Sequence, residues 1–153
     1  MSSLEEGIRW QVDSLRRLLS AGFQVGIRLM YEPTASENDT PERLQRILSE
    51  LPDLLCHLDV GHCNLHGKDP AAMIRHFGHR LHHLHLHDND GRSDLHLPPG
   101  VGTIDWASVI RALKEVGYDG TITLEIGSPD RDYVLLAMKK IQALWARSGG
   151  RRP

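Results

Sequence analysis

Four side chains that can bind a metal ion stand at intervals along this chain, each near the end of a short apolar segment. They are Glu32, Asp59, His85 and Glu125. Two or three carboxylates with one imidazole form a hard-to-borderline ligand set, which suits Mn²⁺, Mg²⁺, Co²⁺ or Zn²⁺. No single residue of the four is specific for this chemistry. Four of them at matching positions of successive segments predict a site for a divalent metal ion.

Three further residues with ligand chemistry accompany these four. His62 follows Asp59 by three positions, and Asp94 and His96 lie in a long polar loop. They could bind substrate or an additional metal ion. Each has a plainer alternative, because Asp59 and His62 could cap a turn, and Asp94 and His96 could serve only the structure of the loop.

An excess of histidine surrounds these candidates. All ten histidines of the chain fall within residues 57–96. Such a local concentration of imidazole indicates a chemical role for this part of the chain. We interpret His83 and His87 as interior packing or as support for the ligands. Asp88 is expected to brace the loop, and His57 is assigned no role.

The hydrophobic pattern predicts the elements that position these residues. Helical spacing of apolar residues predicts five helices, and short apolar or alternating runs predict four strands. Strands are expected over residues 25–31, 54–60, 81–88 and 121–126, and helices over residues 4–20 and from about residues 41, 70, 105 and 129. Strands that alternate with helices run parallel, with the helices packed outside the sheet.

Alternation within the third strand indicates where a site lies. His83, His85 and His87 share one face, and Leu84 and Leu86 share the other. Parallel sheets are normally buried on both faces, so a polar face fits a barrel interior better than a doubly wound sheet. Because parallel strands end on the same side of the sheet, the candidate ligands are expected to meet there.

Composition excludes several classes of protein. The chain has 153 residues, 40% hydrophobic and 25% charged, with a net charge of -2. This is typical of one globular domain, expected over residues 1–147, with a disordered tail over residues 148–153. A near-neutral chain argues against a nucleic-acid partner, and no apolar run is long enough for a membrane span. The N-terminus lacks a secretory leader, and two cysteines in no redox or zinc spacing indicate a cytoplasmic location.

Four stretches of the chain resemble a known superfamily. The segments LDVGH, HLHLHDNDGRSDLH, GVGTIDW and GYDGTITLE are similar to the xylose isomerase-like TIM barrel superfamily of sugar phosphate isomerases and epimerases, which also contains endonuclease IV. A complete barrel of this kind has eight strand–helix units and about 250 residues. The resemblance therefore implies an α/β fold that is a partial (β/α)8 barrel, with four parallel strand–helix units forming its C-terminal half.

The resemblance also implies roles for the candidate residues. Glu32, Asp59, His85 and Glu125 would be the ligands of the single divalent metal ion of the epimerases. The family usually has Asn after the first glutamate, where this chain has Pro33.

The remaining candidates have different roles in different members of the family. His62 would contact substrate in the epimerases, whereas the positions of His62, Asp94 and His96 hold an additional metal ion in the endonuclease-like members.

The function that follows is a metal-dependent isomerase or epimerase of a sugar or sugar phosphate. Glu32 and Glu125 are the expected acid and base, which transfer a proton through a metal-bound enediolate. The alternatives are a zinc-dependent phosphodiesterase similar to endonuclease IV and a catalytically inactive half-barrel fragment. Because half of a barrel exposes two sheet edges, we expect either a homo-oligomer or a missing N-terminal half as the partner.

Overall fold

The computed structural model describes residues 4–148. Within them, a four-stranded sheet is combined with five α-helices. The helices are α1 (Leu4–Gln24), α2 (Pro41–Glu50), α3 (Pro70–Phe77), α4 (Trp106–Glu115) and α5 (Arg131–Arg147), and the strands are β1 (Met30–Tyr31), β2 (Leu55–Asp59), β3 (Leu81–Leu86) and β4 (Thr121–Leu124). Residues 149–153, most of the predicted disordered tail, lie outside the described residues.

The sheet has the order β1-β2-β3-β4, and every neighbouring pair is parallel. This confirms the predicted partial barrel of four strand–helix units. Across the sheet, Asp59 pairs with His85, and His85 pairs with Thr123. The register therefore places the polar residues of adjacent strands side by side on one face.

The opposite face of the sheet is the apolar one. Leu58, Leu84 and Leu86 are fully buried there, and they form one hydrophobic core with Phe77 of α3 and Ile110 of α4. The helices thus cover the outer face, whereas the histidine-bearing face is left for a site, as strand alternation predicts.

Side-chain caps fix the starts of the helices. Thr40 and Asp69 accept hydrogen bonds from backbone N–H groups at the starts of α2 and α3, each of which has a proline in its first turn. The last helix was expected near residue 129, but it begins at Arg131, because Asp130 is its cap.

The first strand and the first helix differ from the prediction. Helix α1 continues to Gln24, past its expected end at residue 20. Strand β1 contains two residues rather than the expected 25–31. Val25 and Ile27 are 69% and 63% exposed, so the apolar residues that suggested a longer strand have no neighbouring element to pack against. Both β1 and β4 are open edges of the described sheet.

None of the helices within residues 4–148 combines the length and the apolar character needed to cross a membrane.

Candidate metal centre

The four predicted ligands come together at the carboxyl end of the sheet, and we call them the first cluster. Nδ1 of His85 lies 2.8 Å from Glu125 Oε2, 3.8 Å from Glu32 Oε1 and 3.9 Å from Asp59 Oδ2. Ligand atoms of Glu32, Asp59 and His85 all lie within 4.8 Å of one another. Glu125 is outside that triplet and reaches the cluster through His85.

The two carboxylate oxygens of Asp59 have different surroundings. Oδ1 accepts hydrogen bonds from the backbone N–H groups of Gly61, at 2.8 Å, and His62, at 3.3 Å, so it caps the turn after β2. Oδ2 is buried and has no hydrogen-bond partner within the described residues. A buried carboxylate oxygen is costly unless a donor or a cation meets it. Asp59 therefore fits a metal ligand while it also caps a turn.

A close contact with His87 keeps Asp59 ionised. Nε2 of His87 lies 3.0 Å from Asp59 Oδ1, and both side chains are fully buried. Burial would raise the pKa of Asp59, but the contact with His87 and the charges of His87 and His62 outweigh it and lower the pKa to about 2. Burial would lower the pKa of His87, and the nearby Asp59 carboxylate outweighs this and raises it.

Glu32 is held at the same end of the sheet by another histidine. Its Oε2 lies 3.3 Å from Nδ1 of His57, and this contact lowers the pKa of Glu32 more than partial burial raises it. The proline at position 33 does not remove Glu32 from the first cluster. Instead, the carbonyl oxygen of Pro33 faces Nδ1 of His62 at 3.4 Å.

His62, His87, Asp94 and His96 form a second cluster, with one ligand atom of each within 4.8 Å of the others. Nδ1 of each histidine faces a backbone carbonyl oxygen 3.0–3.4 Å away. Nε2 of His62, His87 and His96 lies 3.3, 3.5 and 3.4 Å from a carboxylate oxygen of Asp94. Carbonyl oxygens fix the ring orientation of histidine metal ligands in this way.

The loop that carries Asp94 and His96 is tied down by Asp88. Oδ1 of this buried carboxylate accepts hydrogen bonds from the backbone N–H groups of Asn89, at 2.9 Å, and Ile104, at 3.2 Å. Oδ2 accepts from the backbone of Gly100, at 2.7 Å, and from the indole of Trp106, at 2.8 Å. The bracing role expected for Asp88 therefore joins both ends of the loop to the barrel.

Two residues take a larger part in the site than the sequence analysis expected. His57, which was assigned no role, is buried against Glu32. His87, interpreted as packing or support, also belongs to the second cluster. Their positions relative to Asp59 and His85 carried the signal, because residues two apart in a strand point to the same face.

Known proteins resemble the chain over most of its length. A family model described as xylose isomerase-like TIM barrel matches residues 2–146. A fructoselysine 3-epimerase of Escherichia coli O157:H7 is 26% identical over 144 residues, which cover 86% of this chain and 52% of that protein. An inosose dehydratase of Lacticaseibacillus casei is 28% identical over 154 residues, with coverage of 84% and 52%.

Solved structures agree with the sequence matches. The crystal structure of a D-tagatose 3-epimerase-like protein superposes with a TM-score of 0.83 at 27% identity, and the match covers 92% of this chain and 55% of that one. The chain therefore spans about half the length of these three proteins.

Proposed function

The chain belongs to the xylose isomerase-like TIM barrel family, and from this membership we propose that it carries the metal site of a sugar or sugar-phosphate isomerase or epimerase. The relatives named above are an epimerase, an epimerase-like protein and a dehydratase. One observation supports the proposal most directly. The ligand atoms of Glu32, Asp59 and His85 converge, and Asp59 Oδ2 is buried there without a hydrogen-bond partner.

The metal ion would be held by the first cluster. Asp59 and His85 would supply ligand atoms from adjacent strands, and Glu32 and Glu125 would supply carboxylates from the positions directly after the two outer strands. A divalent ion at this place would polarise a carbonyl oxygen of an open-chain ketose and lower the pKa of the neighbouring carbon-bound proton. The donor set suits Mn²⁺, Mg²⁺, Co²⁺ or Zn²⁺.

Glu32 and Glu125 would move the proton. They follow β1 and β4, which are separated by two strands, so a curved sheet would bring them to opposite sides of a substrate. Their side chains are 35% and 45% exposed, whereas Asp59 is fully buried. One glutamate would take the proton from carbon, and the other would return it to the second carbon or to the opposite face.

Metal content and proton exchange test this proposal. Elemental analysis of protein purified without chelator is expected to find about one divalent ion for each chain or each completed barrel. The metal-loaded protein is then incubated with D-tagatose, D-fructose and their phosphates in D2O, and NMR follows the loss of carbon-bound protons. Loss of water from the sugar instead would indicate a dehydratase, which is the activity of one of the relatives.

Glu125→Gln should abolish the exchange, since the amide cannot take up the proton. The matched control is Glu115→Gln on α4, because the Glu115 side chain is 49% exposed and that of Glu125 is 45% exposed. Unchanged exchange in Glu125→Gln would reject the assignment. If the metal-loaded wild-type chain exchanged no proton of any ketose, isomerase activity of this chain would be rejected.

The second cluster favours one other function, a zinc-dependent phosphodiesterase. Sites with two or three metal ions suit in-line attack at phosphorus, and the histidines around Asp94 offer three converging nitrogens. A content of two or three zinc ions would favour this function, although a net charge of -2 opposes a nucleic-acid substrate. Failure to bind any of the ions would leave an inactive half-barrel.

The partners follow from the incomplete barrel. We propose that residues 1–147 form one half-barrel domain, and that either a second copy or an N-terminal half completes it. The substrate would be a small sugar or sugar phosphate. Cys56 and Cys63 are free and buried, which suits the cytoplasmic location that we include in the proposal.

A further inference from the structure

His57 lies beneath the first cluster and touches two of its members. It is 8% exposed, and its Nδ1 lies 3.3 Å from Glu32 Oε2. Its ring also packs edge-on against the ring of His85, with centroids 4.3 Å apart and an interplanar angle of 83°.

Strand register explains why His57 and Glu32 meet. Tyr31 is the last residue of β1, and it pairs with Cys56 of β2. Glu32 follows Tyr31 and His57 follows Cys56, so the two residues lie side by side. Glu32 is beyond the end of β1 and precedes a proline. Because the sheet ladder stops before Glu32, its carboxylate depends on side-chain contacts for its orientation.

The contact separates the two oxygens of Glu32. Oε2 faces His57, whereas Oε1 faces His85 at 3.8 Å. The oxygen that His57 does not engage is thus the one directed at the metal ligands.

His57 would be a poor choice for packing alone. Its Nε2 is buried and has no hydrogen-bond partner within the described residues. A buried polar atom without a partner costs stability, whereas an aliphatic side chain would fill the same space at no such cost. A residue that destabilises the fold beside a site is typical of a trade between stability and function.

We propose that His57 is a positioning residue: it holds Glu32 Oε2 so that Oε1 points into the first cluster. This inference rests on the proposed metal site, in which Glu32 is a ligand and moves a proton. His57 itself binds neither the ion nor the substrate.

Two substitutions at position 57 separate positioning from packing. Asparagine can place an N–H donor near the position of Nδ1, and leucine fills the space without a donor. His76→Leu is the control for a histidine-to-leucine exchange, since His76 lies on α3 outside both clusters and its Nε2 faces Gln45 Oε1 at 3.1 Å.

Cobalt binding is the first measurement. Chelator-treated protein is titrated with Co²⁺ and the visible d–d absorption is recorded, with far-UV circular dichroism to check the fold. His57→Leu is expected to weaken Co²⁺ binding by about 10–100-fold, as the loss of a residue that orients a ligand does, and to change the spectrum. His57→Asn should recover most of the affinity, and His76→Leu should match the wild type. Wild-type affinity and spectrum in His57→Leu, or equal weakening in His76→Leu, would overturn the inference.

A metal-free measurement separates this inference from the proposed function. Thermal midpoints of the wild type, His57→Leu, Glu32→Gln and the double variant form a double-mutant cycle in the presence of chelator. Non-additive midpoints are expected if His57 holds Glu32. Additive midpoints would overturn the positioning role. If the wild type bound no Co²⁺, the proposed metal site would fail, and the cycle would still decide whether His57 orients Glu32.

Discussion

Replacing Asp88 by asparagine tests whether one buried carboxylate fixes the loop that carries Asp94 and His96. The Asp88 carboxylate is fully buried and accepts four hydrogen bonds, two at each oxygen. Asparagine offers one oxygen and one NH₂ group in the same place. Whichever way the amide turns, two N–H donors lose their acceptor and face another donor.

The size of the effect follows from that count. A hydrogen bond to a charged group contributes about 1.5–3 kcal/mol, so two lost bonds predict a decrease of about 3–6 kcal/mol in the free energy of unfolding. Domains of this kind are typically stable by about 5–15 kcal/mol, so Asp88→Asn is expected to be severely destabilised.

Urea unfolding followed by circular dichroism measures this change, and limited proteolysis reports on the loop. Asp90→Asn is the control. Oδ1 of Asp90 accepts hydrogen bonds from the backbone of Arg92 and Ser93 within the exposed part of the same loop, so Asp90→Asn should lower the free energy of unfolding far less than Asp88→Asn. Equal stabilities of the two variants would refute the reasoning. Loss of stability without faster cleavage of the loop would refute the proposed link between Asp88 and the loop.

Four further outcomes are expected. Gly61 has an ordinary φ of -64°, but a Cβ there would lie 2.0–2.4 Å from three ring atoms of His87. Gly61→Ala should therefore lower the free energy of unfolding by about 1–3 kcal/mol. An unchanged melting temperature would contradict this. Burial raises the pKa of Cys56 and of Cys63 to about 12, so neither thiol should react with a disulfide reagent in the folded protein at pH 8. Stability should also fall above about pH 9, where the thiols ionise first in the unfolded chain; equal thiol reactivity with and without urea would disprove the burial argument. The pKa of Asp59 is about 2 in the folded protein against 3.8 in the unfolded chain. Its ionisation therefore contributes about 2 kcal/mol to the free energy of unfolding, and this contribution is complete above pH 4 and is lost as the pH falls towards 2. Acid titration of metal-free protein measures the loss. Because β1 and β4 are open edges, light scattering should find two or more associated units, and a stable, well-folded monomer would contradict this.

The fold could be predicted largely because local patterns dominate it. Alternation in β3 identified the outward leucines and the inward histidines, and the parallel direction of the strands predicted that Asp59 and His85 meet. The extent of β1 could not be predicted in this way, since Val25 and Ile27 have the composition of a strand but no neighbour to complete the packing.

Two other contacts between residues distant in sequence escaped prediction. Glu32 and His57 are brought together by register at a strand end, and register depends on packing that no periodicity reports. Asp88 binds the Trp106 indole across the loop, although each residue alone suggests only a loop carboxylate and a core side chain. The roles of the first-cluster residues stay predictions until metal and exchange are measured.

The two roles of Asp59 have a consequence for the kinetics of ligand capture. Its Oδ1 is already anchored by the turn after β2, so its rotational entropy is lost when the chain folds and not when an ion arrives. Immobilising a side chain on binding costs about 0.5–1.5 kcal/mol, and the more exposed Glu125 would still carry that cost. We therefore expect capture in two stages, in which an ion would first meet the preorganised Asp59 and Glu125 would bind it afterwards. The residence time of the ion would then depend on how often the Glu125 carboxylate dissociates from it.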